Sequence, residues 1–229
     1  VRQRSAIRAA ERQATSVVDA ARQAIDQGAG GITVHPRPDQ RHMRPNDVYT
    51  LAELLAKDYP EVEFNIEGNP FAGPTEAGYP GFRHLVEVTR PHQVTLVPDS
   101  DDQLTSDHGW DLAAPQPALE EGIAAYRAMD CRVSLFMDPV TTQMPTAKSI
   151  GADRIEFYTG PYAQTFWTSG ADDAQTQDCF AQFYRAAQSA LAAGLGVNAG
   201  HDLDQENLPL FATLPGLQEV SIGHAIMCE

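Results

Sequence analysis

Side chains that can move protons stand at the ends of several short apolar segments of the sequence. His35 ends one segment, Glu67 lies near the end of the next, Glu156 lies inside a later one, and His201 ends another. An imidazole can act as acid or base at neutral pH, and the pKa of a partly desolvated carboxyl group can rise towards the same range. These residue types therefore indicate general acid–base catalysis.

Each of these residues also has a structural explanation when it is taken alone. A single histidine at a strand end is more often a hydrogen-bonded structural residue, and Glu67 could be the ion-pair partner of Arg37. Asp99 and Asp138 are expected to cap the segments that follow them. The case for catalysis rests on repetition, because burying several such groups at the same end of successive strands is costly without partners.

Two further groups of residues could hold phosphate. The first group lies at two segment ends that contain glycine. One of these ends includes Asp202, and the other includes Gly223 and His224. Their backbone N–H groups could bind an anion. The second combines basic and hydroxyl side chains from two loops: Arg37, Arg41, His42, Thr105 and Ser106. Arginine can hold phosphate through two parallel hydrogen bonds. Two anion sites predict a substrate, or a pair of substrates, with two phosphates.

The elements that must position these side chains alternate between strands and helices. Seven β-rich apolar segments are predicted to be strands: Gly31–His35, Glu63–Asn69, Gln93–Asp99, Arg132–Asp138, Arg154–Gly160, Gly196–His201 and Glu219–Ala225. Amphipathic segments lie between them: Val17 to Ile25 after a Thr15 or Ser16 cap, a segment opened by Pro45, and Cys179 to Leu191.

This alternation predicts an α/β fold in which helices cover a parallel sheet. We expect residues 1–229 to form one domain, a (β/α)8 TIM barrel, with its site at the C-terminal ends of the strands. Such a barrel has eight strands, and we expect the first to lie upstream of, or to be missing from, the given chain. An open doubly wound sheet is the structural alternative.

Composition excludes several classes of partner. The 229-residue chain has a formal net charge of −15, which argues against nucleic acid and anionic membranes as partners. It has neither an apolar run of about 18 residues nor a signal-type segment, so we expect a cytoplasmic protein. Cys131, Cys179 and Cys228 lack metal-binding or disulfide spacing. The only lysines, Lys57 and Lys148, fall in predicted helices, which disfavours a Schiff-base aldolase.

Seven motifs carry a resemblance to a known family. They are HPRPDQRH (35–42), FNIEGNP (64–70), TLVPD with LTSDHGWD (95–111), VSLFMD (133–138), EFYTGPYA (156–163), VNAGHDL (197–203) and SIGHA (221–225). In order and spacing they resemble the pyridoxine 5'-phosphate synthase family, over nearly the whole chain. The resemblance implies condensation of 1-deoxy-D-xylulose 5-phosphate with 3-amino-2-oxopropyl phosphate to pyridoxine 5'-phosphate, phosphate and water, without a cofactor or a metal.

The resemblance also implies roles for individual residues. His35 and Glu67 would be proton acceptors, His201 a proton donor, and Glu156 would stabilise developing charge. Arg37, His42 and Thr105 would bind the deoxyxylulose phosphate, whereas Asp202, Gly223 and His224 would bind the phosphate of the amino ketone. The family usually has glycine at the position of Asp202, so we expect this carboxylate to point away from the phosphate. The resemblance further implies a homo-oligomer, an octamer.

Two other functions are compatible with a barrel of this kind. A metal-dependent barrel hydrolase usually needs a His-x-His pair on one strand, which the sequence lacks. A non-catalytic phosphate-binding barrel predicts the phosphate loops without the proton-transfer residues. The presence of His35, Glu67 and His201 argues against the second alternative.

Overall fold

The computed structural model describes residues 16–41, 43–100, 103 and 105–223. Seven parallel strands form one sheet in sequential order: β1 (Gly31–Val34), β2 (Glu63–Gly68), β3 (Gln93–Leu96), β4 (Arg132–Met137), β5 (Arg154–Tyr158), β6 (Gly196–Gly200) and β7 (Leu217–Ser221). All seven predicted strands are confirmed, but each ends one to four residues earlier than predicted, and β7 also begins two residues earlier. The sequential order rules out the doubly wound alternative, in which the strand order reverses. The predicted first strand lies outside the described residues.

Helices follow the strands and cover the sheet. They are α1 (Val17–Asp26), α2 (Pro45–Asp58), α3 (Phe82–Thr89), α4 (Pro117–Arg127), α5 (Met144–Ser149), α6 (Gly160–Ser169), α7 (Ala174–Ala192) and α8 (Leu208–Phe211), with a 3₁₀ turn at Thr141–Gln143. The predicted N-terminal signals are confirmed, since the Ser16 hydroxyl accepts a hydrogen bond from the Val18 N–H and Pro45 opens α2. None of the helices within the described ranges has the length and hydropathy needed to span a bilayer.

The two faces of each strand have different chemistry. Apolar side chains on the outer face pack against the helices in one hydrophobic cluster; among them are Val34, Phe64, Ile66, Val94, Leu96, Val133, Leu135, Ile155, Phe157, Val197 and Ala199. The alternate positions, whose side chains point to the other face of the sheet, away from the helices, are polar in nearly every strand: Thr33, Asn65, Glu67, Gln93, Thr95, Arg132, Ser134, Arg154, Glu156, Asn198, Glu219 and Ser221. Strands therefore alternate in polarity even though both faces are enclosed.

Contacts between distant strands show that the sheet is rolled up. The guanidinium group of Arg132 on β4 donates hydrogen bonds to Glu63 on β2 and to Glu219 on β7, and Gln93 on β3 also reaches Glu219. Arg154 on β5 forms an ion pair with the same Glu219 at 2.5 Å. Side chains on β2 and β7 could not share one arginine across a flat sheet. The seven strands thus form a nearly closed barrel of the (β/α)8 type, with an ion-pair network at the N-terminal ends of its strands.

Candidate active site

His35 and Glu67 form a pair at the C-terminal ends of neighbouring strands. His35 directly follows β1, and Glu67 lies in β2, one position beyond the last registered pair of Val34 with Ile66. The His35 Nδ1 and Glu67 Oε1 atoms are 2.9 Å apart. Glu67 is almost fully buried, whereas His35 remains partly exposed. The carboxylate can therefore pair with the imidazole on its Nδ1 side and leave Nε2 available for proton transfer.

The contacts of Glu67 decide its protonation state. Burial acts to raise the pKa of this carboxyl group, but the charge and hydrogen bond of His35 oppose it. The more distant charges of His201 and Arg37 act in the same direction as His35, and the pKa falls to about 2. The expectation that desolvation lifts a carboxyl pKa towards neutrality therefore does not apply to Glu67.

Glu156 shows the raised pKa instead. It lies fully enclosed on β5, and burial, followed by the charges of Glu67 and Glu219, raises its pKa to about 8. Hydrogen bonds from Ser221 and Thr95 act against this rise without cancelling it. Glu156 is accordingly protonated at neutral pH, and a neutral carboxyl group can donate a hydrogen bond as well as accept one.

His201 begins the loop after β6, on an irregular stretch of backbone. Both His201 and Asp202 have positive φ angles, of 78° and 57°, in the left-handed region. The imidazole lies beside two aromatic rings, with centroid distances of 4.9 Å to Phe136 and 5.7 Å to Tyr158. Asp202 is exposed, and its backbone carbonyl accepts a hydrogen bond from Asn207. The expected direction of the Asp202 carboxylate relative to a phosphate stays a prediction.

Several of the predicted site residues line one cavity. Its volume is about 240 Å³, and it is lined by Thr33, Val34, His35, Arg37, Met43, Thr105 and His201. Loops after three different strands thus bring two imidazoles, a guanidinium and a hydroxyl group together, and Glu67 contacts this group through His35. Gly223 is described but does not line the cavity, and the predicted roles of His42 and His224 fall on residues outside the described ranges.

The two arginines of the predicted anion site meet at the loop after β3. Arg37 and Arg41 both donate hydrogen bonds to the backbone carbonyl of Gln103, and Arg41 also pairs with Asp39 at 3.0 Å. Thr105, two residues after Gln103, contributes to the wall of the cavity. Basic groups from one loop and a hydroxyl group from another therefore lie side by side, as an anion site would require.

The contacts of Asp99 differ from those that the sequence predicts. The prediction that it caps a following segment was wrong, because its carboxylate is buried against Arg37 and Ser106 and the next described helix begins only at Pro117. The alternative pairing of Arg37 with Glu67 was also wrong, since the carboxylate that Arg37 contacts is that of Asp99, at 2.7 Å. The available signal was a strand-end carboxylate in a barrel together with an arginine that follows another strand of the same barrel and needs a partner.

The prediction for Asp138 was wrong as well. Its carboxylate accepts a hydrogen bond from the Gly109 N–H at 3.2 Å, and the 3₁₀ turn that follows has Val140 at its cap position. Gly109 packs so closely on the backbone of Met137 and Asp138 that a side chain there would overlap it. Asp138 therefore fixes the loop after β3 to the end of β4.

Two observations bear on the other reaction classes. In the part of the chain that the structure describes, no three His, Cys, Asp or Glu side chains are arranged as a metal site. Lys57 and Lys148 lie in α2 and α5, as predicted. Both lysines belong to the outer helices and not to strand ends that face the cavity.

Comparison with known proteins gives the family. A family model described as "Pyridoxal phosphate biosynthesis protein PdxJ" matches residues 4–229. A protein of Xanthomonas campestris pv. campestris (strain B100), named pyridoxine 5'-phosphate synthase, is 56% identical over 218 residues, which are 95% of this chain and 82% of that protein. A protein of the same name from Xylella fastidiosa (strain M23) is 53% identical over 217 residues, covering 94% of this chain and 80% of that protein.

Solved structures add support for the fold alone. The crystal structure of the Amycolatopsis orientalis BexX/CysO complex is similar with a TM-score of 0.55 at 15% identity, over 90% of this chain and 76% of that chain. The FimX EAL domain of Xanthomonas citri, solved in complex with c-diGMP, gives a TM-score of 0.51 at 14% identity, over 93% and 94% of the two chains. On the strength of the family model and the curated relatives, the chain belongs to the pyridoxal phosphate biosynthesis protein PdxJ family.

Proposed function

We propose that this protein is a pyridoxine 5'-phosphate synthase that condenses 1-deoxy-D-xylulose 5-phosphate with 3-amino-2-oxopropyl phosphate. The products are pyridoxine 5'-phosphate, inorganic phosphate and water. The family and the names of its relatives support the activity. The observation that carries the proposal is that His35 and His201 face one cavity whose wall also contains Arg37 and Thr105. Proton donors and acceptors there lie within reach of a bound phosphate ester.

The reaction requires proton transfers beside carbonyl groups and no redox step. Imine formation, loss of phosphate, loss of water and ring closure each need a base to take a proton or an acid to supply one. We assign His35 as a proton acceptor whose Nδ1–H is held by Glu67, so that Nε2 faces the substrate. Glu67 takes part in proton acceptance as the anion that stabilises the protonated His35, and His201, which lines the same cavity, donates a proton to a leaving oxygen.

We assign Glu156 to the stabilisation of negative charge that develops during the reaction, and not to proton acceptance. A protonated carboxyl group inside the barrel can donate a hydrogen bond to an oxygen that becomes negative during condensation. The raised pKa of Glu156, caused by burial and the charges of Glu67 and Glu219, keeps this proton in place at neutral pH. The two glutamates therefore have complementary roles, one as an anion that orients a base and the other as a neutral donor.

The two phosphates are assigned to different loops. Arg37, His42 and Thr105 bind the phosphate of 1-deoxy-D-xylulose 5-phosphate, next to the base His35. Asp202, Gly223 and His224 contribute backbone N–H groups for the phosphate of the amino ketone, next to the acid His201. The phosphate that leaves is that of 1-deoxy-D-xylulose 5-phosphate, because the product keeps the phosphate of the amino ketone. No organic cofactor or metal takes part in this scheme, and we further propose a cytoplasmic homo-octamer.

The test is product formation by the purified protein. After treatment with a chelator and removal of small molecules, the protein is incubated with both substrates, and pyridoxine 5'-phosphate and released phosphate are quantified by mass spectrometry and a phosphate assay. We expect equal amounts of the two products. A requirement for an added divalent metal would instead favour the hydrolase alternative, and binding of both substrates without product would favour the non-catalytic barrel.

A further inference from the structure

Asp99, on the loop after β3, joins three loops at the edge of the cavity. Its Oδ2 accepts hydrogen bonds from Arg37 Nη2 and from the Ser106 hydroxyl, both at 2.7 Å. Its backbone carbonyl accepts a further hydrogen bond, also of 2.7 Å, from the Asn69 amide. The loops after β1, β2 and β3 therefore meet at this one residue.

The Asp99–Arg37 pair is strongly desolvated. The exposed fractions of Asp99 and Arg37 are 4% and 8%, and Ser106 is fully buried. Within the described residues, the second carboxylate oxygen, Oδ1, is buried and accepts no hydrogen bond. Buried ion pairs often add nothing to stability compared with apolar residues, and an unpaired buried oxygen adds a cost. Stability is therefore a poor explanation for this carboxylate.

The pair holds the guanidinium group of Arg37 in a defined orientation. Asp99 binds Nη2, and the Gln103 carbonyl binds Nη1 at 3.4 Å, so the plane of the group is fixed from the side of the loop. Arg37 lies in the wall of the cavity, whereas Asp99 does not. His35 is two residues before Arg37 on the same loop, and its Nε2 is 3.9 Å from Asp99 Oδ2.

From these contacts we infer that Asp99 is a positioning residue, which holds Arg37, and with it the loop of His35, in the geometry that binds the phosphate of 1-deoxy-D-xylulose 5-phosphate. This inference rests on the proposed function. Arginine recognises phosphate through a planar fork of N–H groups, so rotation of the guanidinium removes the match even when the charge remains. Asp99 acts through Arg37 and has no contact with the substrate of its own.

A double-mutant cycle between Asp99 and Arg37 tests the inference. For Asp99→Asn, we expect kcat/KM for 1-deoxy-D-xylulose 5-phosphate to fall at least ~10-fold, mainly through KM, while the KM for the amino ketone changes less than ~2-fold. In an Arg37→Ala background, the same Asp99→Asn change should cost less than ~2-fold, because the group through which Asp99 acts is already absent. The inference would be overturned if the losses in kcat/KM of the two single variants multiplied in the double variant, or if Asp99→Asn kept the wild-type constants.

Two further comparisons separate positioning from general damage. Asp58→Asn is the matched control, because Asp58 forms an exposed ion pair with Arg22 on the outer helices, and this variant should keep wild-type constants. Asp99→Glu retains the charge, and the adjoining cavity of about 20 Å³, which Asp99 lines, offers room for part of one methylene group. We expect this variant to recover a measurable part of the affinity that Asp99→Asn loses.

Readouts that do not depend on turnover keep this inference separate from the proposed function. Calorimetric titration with 1-deoxy-D-xylulose 5-phosphate repeats the double-mutant cycle at equilibrium. If the wild-type protein binds this substrate but forms no product, the proposed reaction is rejected, and the binding data still test the role of Asp99. A crystal structure of Asp99→Asn should show the Arg37 guanidinium turned away from its wild-type orientation. An unchanged Arg37 in that structure would overturn the inference, whatever the activity of the protein.

Discussion

At the scale of single residues, the interior of the barrel gives two chemically identical side chains opposite states. Glu67 faces the imidazole of His35 and stays ionised, whereas Glu156 is surrounded by hydroxyl groups and other carboxylates and keeps its proton. The acid–base residue types could be predicted from strand ends in the sequence. Their protonation states could not, because these depend on which side chains meet across the barrel.

The raised pKa of Glu156 predicts a pH-dependent stability. Because its pKa in the folded protein is about 8 and its ordinary value is 4.5, the stabilising contribution of the protonated group is fully present below about pH 4.5 and is lost as pH rises through 8. Glu156→Gln removes this dependence. Between pH 5 and pH 9, the Tm of the variant should rise by at least ~4 °C relative to that of the wild type, measured by calorimetry.

Glu53→Gln is the control for this measurement, since Glu53 is exposed on α2. Its Tm should run parallel to that of the wild type across the same pH range. Parallel curves for Glu156→Gln itself would show that Glu156 is already ionised at neutral pH, and its role as a neutral donor would have to be abandoned.

At the scale of elements, the end of β6 is shaped to admit the Glu156 carboxyl group. A Cβ atom on Gly200 would overlap Glu156 Oε1 and would lie 3.3 Å from the Cβ of Ser221 on β7. The Gly200 carbonyl also accepts hydrogen bonds from the backbone N–H and the hydroxyl of Thr159, which prevents this strand end from moving outwards. The glycine thus lets a β5 side chain lie against the β6 backbone, directly below His201.

Gly200→Ala should therefore displace the Glu156 carboxyl group. We expect kcat to fall at least ~10-fold, since displacements of about 1 Å in an active site can cost this much or more. Combining it with Glu156→Asp, which shortens the side chain by one methylene group, should lose less than the product of the two single losses. Steady-state kinetics measure all three variants.

Gly73→Ala serves as the matched control, because Gly73 is exposed and an added Cβ would meet no atom within 4 Å. It should keep wild-type kinetics. If Gly200→Ala also kept them, the close contact between β5 and β6 would not matter for catalysis.

The elements themselves were the most predictable part of the fold. Apolar runs, Ser16 and Pro45 placed the strands and the first helices because these signals are local in sequence. Asp99 was misassigned because its partners, Arg37 and Ser106, are separated from it by 62 and 7 residues, and only the parallel alignment of β1, β2 and β3 brings Arg37 to it. A capping rule considers only the next few residues in the sequence, so it cannot predict a partner that is distant in sequence.

At the scale of the whole molecule, charged and polar side chains fill the barrel where apolar residues are usual. At the N-terminal ends of the strands, Arg132 connects β2, β4 and β7 through Glu63 and Glu219. The hydrogen bond of Arg132 to Glu63 contributes most to lowering the pKa of that carboxyl group. This network holds the far end of the cylinder closed while the loops at the other end form the cavity.

Replacement of Arg132 should therefore loosen the barrel. Arg132→Met leaves two partly buried carboxylates without their shared cation, and we expect the Tm to fall by at least ~3 °C. Arg83→Met is the comparison, because Arg83 forms an exposed pair with Glu87 on α3 and should change the Tm by less than ~1 °C. Equal Tm values for the two variants, from thermal unfolding, would show that the network does not close the barrel.

The most direct test of the acid–base account is the rate at which chelator-treated Glu67→Gln forms pyridoxine 5'-phosphate from the two substrates. The amide keeps the size of the side chain but removes the carboxylate that lies 2.9 Å from His35 Nδ1. We predict a turnover at least ~10²-fold below that of the wild type, with an intact fold by circular dichroism. A variant that turns over at close to the wild-type rate would contradict the account, because proton transfer would then not depend on the His35–Glu67 pair.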